Sequence, residues 1–202
     1  RHLLISYSDN FNSSSMLNKL TTALLLIDVQ QAFDEPSWGQ RNNPQAESNI
    51  ALLLARWRQE NMPVIHVRHF STETNSSLRP DRPGVAYKNE AKPISGEIEF
   101  SKSVNSAFIG TGLESYLHQK KINALVIVGI STDHCVSTTT RMAANLGFNN
   151  LLVSDACATF DRRAADGKLF LAEDVHQIHL ASLDREFCTV QSTLEILQMC
   201  FE

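Results

Sequence analysis

Apolar and polar positions fall in blocks along this chain, and the period of the pattern changes from block to block. Thr22-Ala-Leu-Leu-Leu-Ile-Asp28 is a continuous apolar run of strand length ending in an acid, the pattern of a strand covered on both faces. Pro44 to Glu60 switches to helical spacing: Ile50, Leu53, Leu54 and Trp57 share one face, and Asn61-Met62-Pro63 stops the helix. Pro63 to Arg68 reads as a second strand, and Glu97 to Lys102 alternates as a short third. Thr111 is placed to cap a helix through Leu113, Tyr116 and Leu117. Ala124 to Ile130 is a fourth strand. A helix from about Cys135 carries Met142, Ala143 and Leu146, and Gly147 suits the left-handed residue that ends it. Asn150 to Asp155, helical Val175 to Leu183, and Phe187 to Val190 follow, and Ser192-Thr-Leu-Glu195 has the form of a capping box.

Strands that alternate with helices predict a single-domain, three-layer α/β/α fold with a mainly parallel, Rossmann-like sheet of about six strands. No repeat or linker divides the chain. The polar segment 70–97, rich in Pro, Gly, Ser and Asn, is a connection of the length that is functional or mobile in compact domains. Residues 1–20 are rich in Ser and Asn and read as an N-terminal extension or arm, with Met16 as a candidate natural start; residues 21–202 form the domain.

Composition narrows the function classes. The chain has 202 residues, 43% hydrophobic and 20% charged, enough for one well-buried domain. A formal charge of -4 points away from nucleic acid and membrane-surface partners. No apolar run approaches the ~18 residues that span a bilayer. Four cysteines, at 135, 157, 188 and 200, show no zinc-site spacing and are few for a disulfide scaffold, so a reducing cytoplasm is expected.

Open parallel sheets bind ligands beyond the carboxyl ends of their strands. Asp28 ends the first strand, Lys102 ends the third, and Cys135 follows the fourth at the start of a helix, so three reactive groups should converge on one edge. At a helix N-terminus a thiolate is favoured by the macrodipole, which makes Cys135 the candidate nucleophile. Asp28 can take and return the proton, and Lys102 can lower the thiol pKa and hold the carboxylate. The plainer readings are a turn-capping acid for Asp28 and a solvated charge for Lys102. The backbone N–H groups of Ser131 and Cys135 are candidate oxyanion donors.

Three segments resemble the isochorismatase-like cysteine hydrolases, which include nicotinamidase, N-carbamoylsarcosine amidase and ureidoacrylate hydrolase. They are Leu24-Leu-Leu-Ile-Asp28-Val-Gln-Gln-Ala-Phe33, Glu99-Phe-Ser-Lys102-Ser-Val-Asn-Ser-Ala-Phe108 and Val128-Gly-Ile-Ser-Thr-Asp-His-Cys135-Val, with Val153-Ser-Asp155-Ala156 matching as well. The resemblance covers roughly residues 22–197. It implies an Asp28–Lys102–Cys135 triad, a non-proline cis peptide before Ser131 that presents the Ser131 and Cys135 amides to an oxyanion, and a homo-oligomer.

Nicotinamidases carry an Asp-x-His with a following His as metal ligands after the second strand. Here that stretch is His66-Val-Arg-His69, without the pattern, so neither metal nor cofactor is expected. A cysteine at position 135 favours hydrolysis of a small amide, ureide or carbamoyl compound through an acyl-enzyme. The alternatives are an isochorismatase-type vinyl-ether hydrolase and a non-catalytic or redox-sensing scaffold. Phe33 and Trp38 are placed to wall the substrate pocket, His69 to line the same cleft, and Arg41 to bind a carboxylate or form a structural salt bridge. Phe108 reads as pocket or core, and His134 as a substrate contact or a shaper of the turn.

Overall fold

A computed structural model describes residues 16–202. Six strands build the central sheet: β1 (Thr22–Ile27), β2 (Val64–His69), β3 (Ile98–Lys102), β4 (Ala124–Ile130), β5 (Asn149–Ala158) and β6 (Thr189–Gln191). They lie in the order β3-β2-β1-β4-β5-β6, and every neighbouring pair is parallel. The chain winds outward one way from β1 and the other way from β4, which opens a crevice between the carboxyl ends of those two strands.

The period of two along β1 decides the layers. Ala23, Leu25 and Ile27 point into one core with Leu113, Leu117, Ala143, Leu180 and Leu183, while Leu24 and Leu26 point into the other with Ile50, Leu53, Leu54, Trp57 and Ile196. The first face is covered by α2 (Leu113–Gln119), α3 (Ser137–Asn145) and α4 (Ala172–Leu183), the second by α1 (Ala46–Gln59) and α5 (Thr193–Gln198). This is the three-layer α/β/α fold expected from the alternation. The central strands β1 and β4 lie between two helical layers, which is why they carry almost no polar side chain.

The boundaries differ from the sequence pattern where a distant residue decides them. Helix α4 begins at Ala172, three residues before the pattern starts it, because Asp161 Oδ1 accepts the Ala172 N–H at 2.8 Å. Strand β5 runs to Ala158, past Asp155, because its register shifts beside Gly129 and the pairing then continues to Ile130. The capping box at Ser192 forms as expected, with both Glu195 bonds made. Residues 1–15 lie outside the described residues; next to them, Met16–Leu17 pairs in parallel with Cys200–Phe201.

Gly129 is a position only glycine can hold. Its φ is +137°, and a Cβ there would lie 2.0 Å from the Ile27 carbonyl oxygen in the adjoining strand. Gly129→Ala is expected to cost about 3 kcal/mol or more of unfolding free energy. Gly112→Ala, which would meet only the Phe100 ring at 3.6 Å, should be close to neutral. Urea denaturation of the two variants beside the parent checks this.

Candidate active site

Asp28 sits one residue beyond β1, in a left-handed conformation at φ +51°, with its N–H still bonded to the Val67 carbonyl at 2.9 Å. Aspartate is among the few non-glycine residues that tolerate this region, and the turn drops its side chain below the crevice. Lys102 closes β3. Its ammonium donates to Asp28 Oδ2 at 2.7 Å and to Cys135 Sγ at 3.3 Å. Cys135 lies in a wide, π-type turn, Thr132–Val136, that leads from β4 into α3, so the helical segment starts three residues earlier than the sequence pattern places it. The three residues are 0%, 3% and 8% exposed. The Ile130–Ser131 peptide at the head of this turn is cis.

Electrostatics at the thiol run against the expectation from helix position and Lys102 alone. Burial first, and the Asp28 charge second, push the Cys135 thiol up to about 12, against the pull of Lys102. The resting thiol is therefore protonated at neutral pH. The cause is depth: a thiol on the surface of a helix N-terminus would keep its hydration, and this one does not.

Asp28, His69 and Cys135 each offer a donor atom within 4.8 Å of the others, a set that could hold a metal ion. The Lys102 ammonium already lies in contact with all three, since it also meets His69 Nδ1 at 3.1 Å. The cation of this cluster is the lysine. An ammonium has only donors, so the Nδ1 lone pair faces it and the imidazole is neutral. Burial, then the Lys102 charge, hold His69 below its ordinary value. The His69 backbone is fixed from both sides by Gln30, which accepts its N–H at 2.8 Å and donates to its carbonyl at 3.1 Å. Gln30 is fully buried and went unmarked in the sequence, where an amide two residues after an acid carries no signal.

The turn that carries Ser131 and Cys135 is held by an ion pair. Asp133 accepts from Arg162 Nε at 2.6 Å and from Arg162 Nη2 at 3.1 Å, and also from the Thr159 hydroxyl. Burial pushes the Asp133 carboxyl up, but the bonds from Arg162 and Thr159 pull it further down, to about 2. A carboxyl held below its unfolded value stabilises the fold above about pH 4, and that stabilisation is lost as pH falls toward 2. Asp133→Asn should therefore lower the melting temperature at pH 7 and flatten the acid limb of the melting profile between pH 4 and 2. A circular-dichroism melt at each pH checks both.

A cleft of about 250 Å³ opens over Cys135, lined by Asp28, Phe33, Trp38, His69, Ser71, Thr72, Glu73, Ser76, Leu78, Ser103, Asn105, Ser131 and His134. Phe33 and Trp38 stand on its wall as a tilted pair with ring centroids 4.9 Å apart, backed by Phe160, and Trp38 Nε1 donates to the Ala32 carbonyl. His134 and His69 also border the cleft. Two residues offered for the pocket lie outside it, and for each the plainer of its two readings holds, a salt bridge for Arg41 and the core for Phe108. Arg41 is bound bidentately to Glu47, at 2.7 and 2.9 Å, and borders a different cleft with Lys88 and Asp34. Phe108 stacks on Phe148 in the core beneath α2 and α3. Asn105, which the sequence pattern did not single out, reaches Cys135 Sγ at 3.7 Å. Its signal was its place three residues beyond Lys102, just past the end of β3.

A family model described as Isochorismatase domain matches residues 22–195. The chain is 45% identical over 175 residues to the isochorismatase family protein YrdC of Bacillus subtilis (strain 168), covering 87% of this chain and 94% of that protein. It is 25% identical over 193 residues to maleamate amidohydrolase of Pseudomonas putida, covering 87% and 85%. A crystal structure of an isochorismatase-family hydrolase from Chromobacterium violaceum ATCC 12472 matches with a TM-score of 0.85 at 50% identity, covering 88% of this chain and 92% of that one. The chain belongs to the isochorismatase family. Members of this family are hydrolases, and the family implies a small-molecule substrate. Among the described residues no helix is long and apolar enough to cross a membrane.

Proposed function

We propose that this chain hydrolyses a C–N bond of a small amide, ureide or carbamoyl compound through an acyl-enzyme on Cys135. One observation carries the reading: a buried ammonium, Lys102 Nζ, touches both Asp28 and Cys135 at the floor of an open cleft. Asp28 Oδ1 is buried with no hydrogen-bond partner among the described residues, so it is the acceptor for the thiol proton. As Sγ attacks the carbonyl carbon, that proton passes to Asp28 and the C=O electrons go to the oxygen, met by the Ser131 and Cys135 amides. Collapse of the tetrahedral adduct expels the nitrogen, which takes the proton from Asp28. Water then gives up a proton to Asp28 and attacks the thioester; collapse frees the acid and expels Sγ, which takes that proton back from Asp28. Lys102 keeps the carboxylate and the developing thiolate compatible throughout.

The Pseudomonas relative is named as an amidohydrolase, which supports C–N cleavage over vinyl-ether cleavage. Four free cysteines, Cys200 exposed among them, support a reducing cytoplasm, and the exposed Leu169, Phe170, Leu171 and Ile178 support a homo-oligomer. A screen over small amides, ureides and carbamoyl compounds, read by released amine or ammonia, tests the reaction class; turnover of vinyl ethers alone would contradict it. Because Lys102 fills the centre of the donor cluster, incubation with a chelator should leave the rate within about twofold. Loss of activity that added zinc restores would overturn that part of the mechanism.

A further inference from the structure

Charge is not balanced evenly around the catalytic cleft. Asp28 is matched by Lys102 at 2.7 Å, and Asp133 by Arg162 through Nε and Nη2. His69 is held low by burial and Lys102, and His134 by burial, so both imidazoles are neutral near pH 7. Among the described residues, no lysine or arginine borders the cleft apart from Lys102 beneath its floor, and that ammonium is already paired with Asp28. What remains is Glu73. Its backbone is fixed in a compact turn: its N–H donates to Ser71 Oγ at 3.1 Å, and its carbonyl accepts from the Ser76 N–H at 3.2 Å. Its side chain is exposed and has no ion-pair partner among the described residues, and it borders the cleft together with His69. A carboxylate on a bound substrate would meet Glu73 and no free cation. An ammonium or guanidinium would meet Glu73, with the rings of Phe33 and Trp38 lining the same cleft.

We propose that the cleft takes an acyl donor bearing a cation at its far end, an aminoalkyl or guanidinoalkyl amide, and that Glu73 is the residue that sets this preference. The proposal rests on the hydrolytic reading of the cleft, and its test separates the two. Two thiol reagents of similar size serve as probes: 2-aminoethyl methanethiosulfonate, a cation, and 2-sulfonatoethyl methanethiosulfonate, an anion. The rate of each at Cys135 is read by peptide mass spectrometry and divided by its rate with 2-mercaptoethanol. The normalised cation-to-anion ratio should be about tenfold in the parent, fall toward one in Glu73→Gln, invert in Glu73→Lys, and shrink with added salt. A second arm compares kcat/KM for β-alaninamide and succinamate, which should favour the first and lose that preference in Glu73→Gln. A parent ratio of one or less, or a ratio unchanged in Glu73→Gln, overturns the proposal. Because labelling needs no turnover, unselective labelling with intact amide hydrolysis contradicts only the charge preference. Selective labelling with no hydrolysis of any amide contradicts the hydrolytic reading beneath it.

Discussion

Replacing Cys135 by alanine is expected to reduce hydrolysis by roughly four orders of magnitude or more, because the acyl group then has no acceptor. Cys188→Ala should leave kcat/KM within a few-fold and cost about 1 kcal/mol of stability. The contrast is informative because the two thiols are alike in acidity. Burial first pushes Cys135, Cys157 and Cys188 all up to about 12. What separates Cys135 is contact. It has an ammonium at 3.3 Å, the Asn105 amide at 3.7 Å and an open cleft above it, whereas Cys188 bonds the Leu183 carbonyl inside the core. Steady-state rates of the two variants, beside urea unfolding curves, check both halves.

Thiol reactivity and turnover should come apart when the neighbouring charges are removed. Asp28→Asn deletes a charge that raises the thiol pKa, so iodoacetamide should label Cys135 faster at any given pH, with its midpoint moved below about 12. The same change removes the proton acceptor, and turnover should fall by about 10³-fold. Lys102→Met removes the pull in the other direction, so labelling should slow and its midpoint rise. It also leaves the Asp28 carboxylate buried without its cation, at a cost of about 3–5 kcal/mol. The double variant Asp28→Asn/Lys102→Met removes both charges and should be more stable than Lys102→Met alone. The readouts are the pH dependence of Cys135 labelling by peptide mass spectrometry, turnover, and urea unfolding. Equal labelling profiles in parent and Lys102→Met would remove the lysine from thiol activation.

The layers could be read from the chain because burial on both faces leaves a plain mark. β1 and β4 are unbroken apolar runs, and α1 repeats Ile50, Leu53, Leu54 and Trp57 at helical spacing. The meeting of Asp28, Lys102 and Cys135 followed from topology, since parallel strands bring their carboxyl ends to one edge. The rest depends on partners far away in sequence. Arg41 could be read as binding a substrate carboxylate or as forming a structural salt bridge, and only the fold shows that Glu47 holds it. The Asp133–Arg162 pair joins residues 29 positions apart, and Gln30 bonds a residue 39 positions on. The thiol's raised pKa is a consequence of depth, which no local pattern records. Glu73 is one acid within a polar stretch, and its importance appears only once the cleft's other charges are seen to be paired.

A covalent bond between the substrate's acyl group and Cys135 is the centre of this mechanism, and rapid-quench peptide mass spectrometry during steady-state amide turnover tests it most directly. The mechanism predicts an adduct of the acyl mass, substrate less its leaving amine, on the peptide containing Cys135, cleared by hydroxylamine as a thioester must be. Sustained turnover with Cys135 found only as the free thiol, or an acyl group on another residue, would contradict it.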